Sequence, residues 1–376
     1  MRVYDYHKSS VALAPYGSYW RVMRRLVTVD MLVNKRINEA ATIRRKCTDD
    51  MLRWIEEETR KIQGESNGNN GIRVARFVFL LTFNLLGNLM LSRDLLDPDS
   101  KEGSEFFSVM TRLMKLSGNG NVADFFPWLK WLDPQGLKRK TKKNLGKALE
   151  IASNFVKERM EDKNSSENNK RDFLDMLLEF QGNGKDEPVQ LSQQDIYIFI
   201  LELFMAGSET TSSTIEWALT ELLCNPKTMM EAKAELSGVV GPNKRVEESD
   251  IGNLPYLNAV IKETFRLHPH CHSLDPDVWD DPFSFKPERF IGSKIDYKGY
   301  NYELIPFGAG RRMCAGLALG ERVLHLVLGS LLHHFDWELG GNVTKETIDM
   351  KEALGVTMRK LEPLLAVPKM CMKSAD

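Results

Sequence analysis

Between Ser192 and Cys224 the chain keeps helical apolar spacing with no proline to interrupt it, and no other stretch constrains the fold as much. Ser192 with Asp195 reads as a capping box, and Asn225-Pro226 closes the run and opens the next helix. At about 1.5 Å per residue this helix is roughly 50 Å long, enough to cross a whole domain. In its middle stands Ala206-Gly-Ser-Glu-Thr-Thr211. Small and hydroxyl residues lower helix propensity there and leave room for another body against the backbone. Thr210 can bond back to a carbonyl and open a local distortion. Taken by itself the run is a polar patch on a core helix.

The remaining spacing is also mostly helical. Candidate helices cover about 16–29, 33–62, 73–91, 101–116, 141–162, 171–180, 227–240, 255–267 and 316–334. Strand signal is thin and confined to about 335–339 and 355–367, so the fold class is mainly α with a reduced β part. Polar loops fall at 64–71, 163–169 and 182–187. A chain of 376 residues fills one large domain or two ordinary ones. A net charge of −1 implies no bulk attraction to nucleic acid. Five scattered cysteines, an odd number, argue against a disulfide framework and for a reducing compartment. The polar start does not look like a leader or anchor, and the apolar stretch Phe77–Leu91 is interrupted by Asn84 and Asn88, too short and polar to span a bilayer.

Chemistry concentrates at Phe307-Gly-Ala-Gly-Arg-Arg-Met-Cys-Ala-Gly316, just ahead of the 316–334 helix. Its glycines let the backbone turn sharply and come close to something bulky and flat. Cys314 stands before a helix start, whose positive end favours the thiolate. A lone thiolate against a large planar group is what haem iron needs as an axial ligand. An isolated cysteine is more often a small buried side chain, but the spacing Phe-x-x-Gly-x-Arg-x-Cys-x-Gly is long and specific. The segment resembles the haem-binding loop of the cytochrome P450 family, the haem-thiolate monooxygenases.

The resemblance runs from about Val11 to Val367 and leans toward plant members acting on small metabolites, as in Asp349-Met-Lys-Glu-Ala-Leu-Gly-Val-Thr357. It implies a single haem-thiolate domain over 1–376, with haem b bound through Cys314. It makes Glu209 and Thr210 an acid–alcohol pair that delivers protons for dioxygen chemistry. In Ala14-Pro-Tyr-Gly-Ser-Tyr-Trp-Arg-Val-Met-Arg-Arg25, Trp20 and Arg24 lie one helical turn apart; by resemblance they hold a haem propionate, with Arg312 as a further partner. Phe307 would pack beside the thiolate, with Gly308 and Gly316 shaping the loop. In Lys262-Glu-Thr-Phe-Arg-Leu-His-Pro269, Glu263 and Arg266 share a helix face; the resemblance joins them to Arg289 in a buried network bracing the cysteine loop. It further implies O2, a small apolar substrate (terpenoid or phenolic), electrons from an NADPH-dependent reductase, and the cytosolic face of the endoplasmic reticulum membrane. Arg21 and Arg25 could meet an acidic electron donor, on charge alone.

Two other features remain. The aromatic run Phe125-Phe-Pro-Trp-Leu-Lys-Trp-Leu132, followed by Lys138-Arg-Lys-Thr-Lys-Lys143, suits either a membrane interface or a loop covering the core. His268, His270, Cys271 and His272 are metal-ligand types set too close together for one site, so they read as a junction. There the sequence departs from the family: His268-Pro269 is followed almost at once by Asp277-Val-Trp-Asp-Asp-Pro282, where relatives place several strands. The family's anchor, first helices and first strands are also expected to be missing. Leftover strands would then lack partners, and water would reach the iron. That leaves two readings, an active monooxygenase and a truncated haem-binding remnant that turns nothing over.

Overall fold

Helices dominate the computed structural model, which describes residues 3–64, 71–165, 171–185, 187–268, 277–341, 343–353, 355 and 357–371. In chain order they are α1 (Tyr6–Ser9), α2 (Ser18–Arg25), α3 (Asn34–Glu39), α4 (Ala41–Gly64), α5 (Val74–Leu91), α6 (Lys101–Gly118), α7 (Val122–Phe125), α8 (Leu137–Ser165), α9 (Phe173–Leu178), α10 (Gln193–Cys224), α11 (Pro226–Val240), α12 (Pro255–Leu267) and α13 (Leu317–His334). Each helix expected from the apolar spacing is present, and the 33–62 candidate divides at Ala40 into α3 and α4.

The starts and stops follow from side chains. Asp195 N–H donates to Ser192 Oγ at 3.1 Å and Ser192 N–H to Asp195 Oδ2 at 3.3 Å, the reciprocal cap expected for α10. Pro226 takes the first position of α11 after Asn225 ends α10. At the start of α12, Glu235 accepts from the N–H groups of Tyr256 and Leu257 at 2.7 and 2.8 Å. A carboxylate there satisfies orphan donors and faces the positive helix end.

The chain divides into two compact units. The first takes Met1–Ala40, Thr82–Glu209 and Leu354–Val356. Its core is aromatic: Phe83 stacks on Phe204 at 4.1 Å and meets Phe106 edge-on at 4.8 Å. Gly207 is small for a packing reason, since a Cβ there would lie 2.7 Å from Leu86 Cδ1 of α5. The body that the small residues of α10 admit at this point is thus another helix. α5 is apolar and long enough to cross a bilayer, yet 78% of it is buried. Its Asn84 is buried too, donating to Leu96 O at 2.7 Å and accepting from the N–H groups of Leu95 and Leu96 at 2.9 Å. That bonding fits a core helix.

The second unit takes Ala41–Leu81, Thr210–Ala353 and Thr357–Asp376. Here α4, α11, α12 and α13 pack together. Beside them β1 (Ile72–Arg73), β5 (Leu365–Met370) and β2 (Phe335–Leu339) form an antiparallel sheet in the order β1-β5-β2, with Phe335 opposite Met370 and Ile72 opposite Ala366. β3 (Glu352–Ala353) pairs with β4 (Arg359–Lys360). The expectation of strands left without partners is corrected in part: each described strand has a partner, β5 along both edges and β1, β2, β3 and β4 along one.

Candidate functional site

Cys314 belongs to the second unit, between the 3-10 turn Gly310–Arg312 and the first residue of α13. The loop is closed by its own backbone. Cys314 N–H donates to Phe307 O at 2.9 Å, Gly308 N–H to Ile305 O at 2.9 Å, and Met313 N–H to Gly310 O at 3.2 Å. Gly308 and Gly310 have φ of 70° and 71°, the left-handed region that glycine enters without strain. A Cβ on either would meet nothing within 4 Å, whereas one on Gly316 would lie 3.8 Å from Cys314 Sγ. The Phe307 ring meets Phe265 of α12 edge-on at 5.3 Å and Tyr297 at 5.7 Å, so the loop rests on α12. Cys314, Arg311 and Arg312 are exposed. The sulfur therefore stands on the open side of a glycine-lined turn, close to a helix N-terminus that favours its thiolate.

The same α12 carries a buried charge network. Glu263 Oε2 accepts from Arg266 Nε at 2.7 Å and Glu263 Oε1 from Arg266 Nη2 at 2.8 Å. Arg289 Nε donates to the same Oε1 at 3.1 Å, and Lys286 N–H at 2.7 Å. The remaining guanidinium donors go to carbonyls: Arg266 to Pro282 and Ser284, Arg289 to Asp280. Trp279 lies against both arginines, 5.5 and 5.9 Å from its ring centre. Glu263, Arg266 and Arg289 are thus brought together as expected from the sequence. The carbonyls of 280–284, the Lys286 N–H and Trp279 were not foreseen as members, although the Trp279-Asp-Asp-Pro run is what carries most of them.

α10 runs without a break through Ala206–Thr211. Glu209 is buried and Thr210 half-buried. Thr214 Oγ1 donates to the Thr210 carbonyl at 2.9 Å, a hydroxyl back-bond within the helix. Glu209, Trp20 and Arg24 belong to the first unit. Trp20 is buried, and its indole N–H donates to Val11 O at 2.8 Å. Arg24 follows one turn along α2, half-buried.

His268 closes α12 among long-range partners that the sequence does not reveal. It stacks on Trp217 at 3.7 Å with rings almost parallel. Its Nε2 faces Glu221 at 2.7 Å and its Nδ1 faces Glu352 at 3.2 Å, while Lys360 lies 4.6 Å from the Trp217 ring. Burial pushes the His268 pKa down, but hydrogen bonds to the two carboxylates outweigh it and the net shift is upward. His270, Cys271 and His272 lie outside the described residues, and no group of three or more metal-binding side chains occurs among the described residues. The aromatic run is open to solvent: Phe125, Trp128 and Trp131 are 77%, 68% and 81% exposed, and Lys138, Arg139, Lys140, Lys142 and Lys143 are exposed as well. These rings do not cover the core.

A mainly helical fold with small antiparallel sheets, and an exposed cysteine in a glycine turn at a helix start, define the haem-thiolate class. The chain belongs to the cytochrome P450 family, whose model matches residues 2–275 and 272–367. It is 50% identical to cytochrome P450 76A2 of Solanum melongena over 399 residues, covering 98% of this chain and 78% of that protein. It is 46% identical to iridoid oxidase of Catharanthus roseus (98% and 78%) and 36% identical to geraniol 8-hydroxylase of Swertia mussotii (98% and 78%). Among solved structures, a zebrafish cytochrome P450 with progesterone matches at a TM-score of 0.73 and 23% identity, covering 96% of this chain and 84% of that one; this likeness carries the fold alone. The protein is a P450 monooxygenase, and the family's cofactor is haem b with a cysteine thiolate on the iron. The residues present fit that group: the sulfur is exposed, and open space lies where Cβ atoms on Gly308 and Gly310 would stand.

Proposed function

We propose that this chain, as one domain, hydroxylates a small apolar terpenoid, with Cys314 as the residue that would hold its haem. The exposed Cys314 sulfur in its glycine turn carries the reading. Iridoid oxidase and geraniol 8-hydroxylase, by name, act on terpenoids, which favours that substrate class over phenolics. The overall reaction takes RH, O2, two electrons and two protons to ROH and water. Electrons come from NADPH through a reductase.

When bound, haem supplies the activation of dioxygen. The Cys314 thiolate would hold that group. Glu209 and Thr210, consecutive on α10, move protons toward the oxygen chemistry. Arg24 and Arg312 would bind propionate carboxylates, Trp20 keeps α2 in place through Val11, and Phe307 with Gly308 and Gly316 shapes the thiolate loop. Glu263, Arg266 and Arg289 fix α12, on which that loop rests through Phe265. The cytosolic face of the endoplasmic reticulum membrane is the proposed location, with the exposed 125–132 rings at the lipid surface.

One observation favours a second reading, in which haem binds and nothing is turned over. The alignment with cytochrome P450 76A2 spans 399 residues, more than the 376 of this chain, so the relative has residues inside the match that this chain lacks. The two family segments meet at 272–275, the junction expected from the sequence. Purified protein, reduced and exposed to carbon monoxide, should show the red-shifted Soret band of an intact thiolate ligand, and Cys314→Ala should abolish it. Absence of the band from the parent protein would overturn the haem-thiolate assignment. The band without NADPH-dependent oxidation of geraniol-like alcohols in the presence of reductase would select the second reading.

A further inference from the structure

Glu202 is a buried carboxylate on α10 with no role in the chemistry above, and it accepts three hydrogen bonds from one short stretch of chain. Its Oε1 takes the Ser10 hydroxyl at 2.5 Å and Ala12 N–H at 3.1 Å; its Oε2 takes Val11 N–H at 2.7 Å. Ser10 Oγ accepts in turn from Leu13 N–H at 2.9 Å. Asp195, two helical turns earlier on α10, receives Ser9 Oγ at 2.6 Å and Tyr19 Oη at 3.4 Å. Val11, whose N–H is held by Glu202, presents its carbonyl to Trp20 Nε1 at 2.8 Å. One continuous path thus runs from Glu202 through Val11 to Trp20 and along one turn of α2 to Arg24.

We propose that Glu202 is a positioning residue that sets α2, and with it Arg24, for haem retention. This rests on the reading of Arg24 as a propionate ligand. Charge-assisted bonds to a buried carboxylate are strong, and these three all come from consecutive residues of the loop between α1 and α2. Removing the charge leaves a backbone donor unsatisfied, which lets the 10–14 loop and the Trp20 anchor drift. A guanidinium displaced by an ångström loses its paired contacts to a carboxylate while the helix itself persists.

The test follows transfer of haem from the holoprotein to excess apomyoglobin. Arg24→Gln, Trp20→Phe, Glu202→Gln and the Trp20→Phe/Glu202→Gln double variant are compared with Asn84→Ala, which weakens the same unit away from this path. Glu202→Gln should release haem about tenfold faster, as an unsatisfied buried donor predicts. The double variant should be no faster than the quicker single one, because both changes act on one path. Ser10→Ala, which removes a single donor, should give a smaller acceleration and serves if Glu202→Gln does not fold. Release at the parent rate in Glu202→Gln and Ser10→Ala, multiplied effects in the double variant, or equal acceleration by Asn84→Ala overturns the proposal. If Arg24→Gln itself releases haem at the parent rate, the propionate reading fails and this inference fails with it. If Arg24→Gln speeds release and Glu202→Gln does not, only the inference about Glu202 fails.

Discussion

Arg266 grips Glu263 with two nitrogens, at 2.7 and 2.8 Å, and both side chains are withdrawn from solvent. They are neighbours on one turn of α12, yet their bonding reaches much further. Arg289 comes to the same carboxylate from beyond the junction, and the carbonyls of 280–284 take up the outer guanidinium donors. One acid is thus shared by two bases. Such a set persists in a protein interior only when every donor is answered.

Removing the acid should therefore cost far more than a surface ion pair. Glu263→Ala leaves two arginines without their counter-charge, and we expect a loss of about 3–5 kcal/mol in urea unfolding. Arg266→Lys keeps the charge but loses the fork, the Pro282 and Ser284 carbonyls and the contact with Trp279, so about 2 kcal/mol is expected. Unchanged midpoints for both variants would show that the network is dispensable.

His268 makes stability depend on pH with a definite sign. Carboxylates of α10 and β3 face its two nitrogens, and Lys360 of β4 lies against the same Trp217. Burial lowers its pKa, the carboxylates raise it more, and the folded value lies above the ordinary one near 6.5. A group raised on folding contributes all its stability below the unfolded pKa and loses it as pH rises through the folded pKa. The urea midpoint should accordingly fall as pH rises above about 6.5, and His268→Gln should flatten that part of the profile. A parent midpoint that rises over this range would contradict the assignment.

These examples show what the sequence discloses. Local rules find local features: Ser192 and Asp195 cap α10, Pro226 opens α11, and Glu263 with Arg266 is visible as an i, i+3 pair. β1 was missed because two residues carry no strand period. The partners of His268 at 217, 221, 352 and 360 are distant in sequence, and nothing in a His-Pro dipeptide points to them. Trp20 illustrates the opposite case. Its place on α2 was legible, but the partner of its single N–H was not, because Val11 is an unremarkable residue offering only a carbonyl.

The exposed rings after α7 give a prediction about surfaces. Trp128 and Trp131 stand out from the chain beside Lys130 and the 138–143 basic run, so rings and charge would meet an anionic bilayer together. Replacing both tryptophans with serine should weaken co-sedimentation with phosphatidylserine-containing vesicles by about tenfold or more, given the apolar area removed. Raised salt should weaken what remains. Equal binding by parent and variant would remove this face from the membrane reading.

Three glycines of the cysteine loop should respond differently to the same added methyl. At Gly308 and Gly310 an alanine meets no neighbour, so the whole penalty comes from the left-handed backbone, about 1–2 kcal/mol each. At Gly316 the backbone is ordinary, with φ of −88°, and the new Cβ would touch Cys314 Sγ at 3.8 Å. Stability should hardly change there, but the sulfur loses room to adjust to the iron. Gly316→Ala should therefore keep the parent melting temperature while altering the Soret band of the reduced carbon monoxide complex, because that band reports on the thiolate. Gly308→Ala and Gly310→Ala should each lower the melting temperature by about 1–3 °C, the shift that about 1–2 kcal/mol produces in a domain of this size. If all three variants melt early and share the parent spectrum, Gly316 serves the backbone as the other two do, and the contact with Cys314 has no bearing on the ligand.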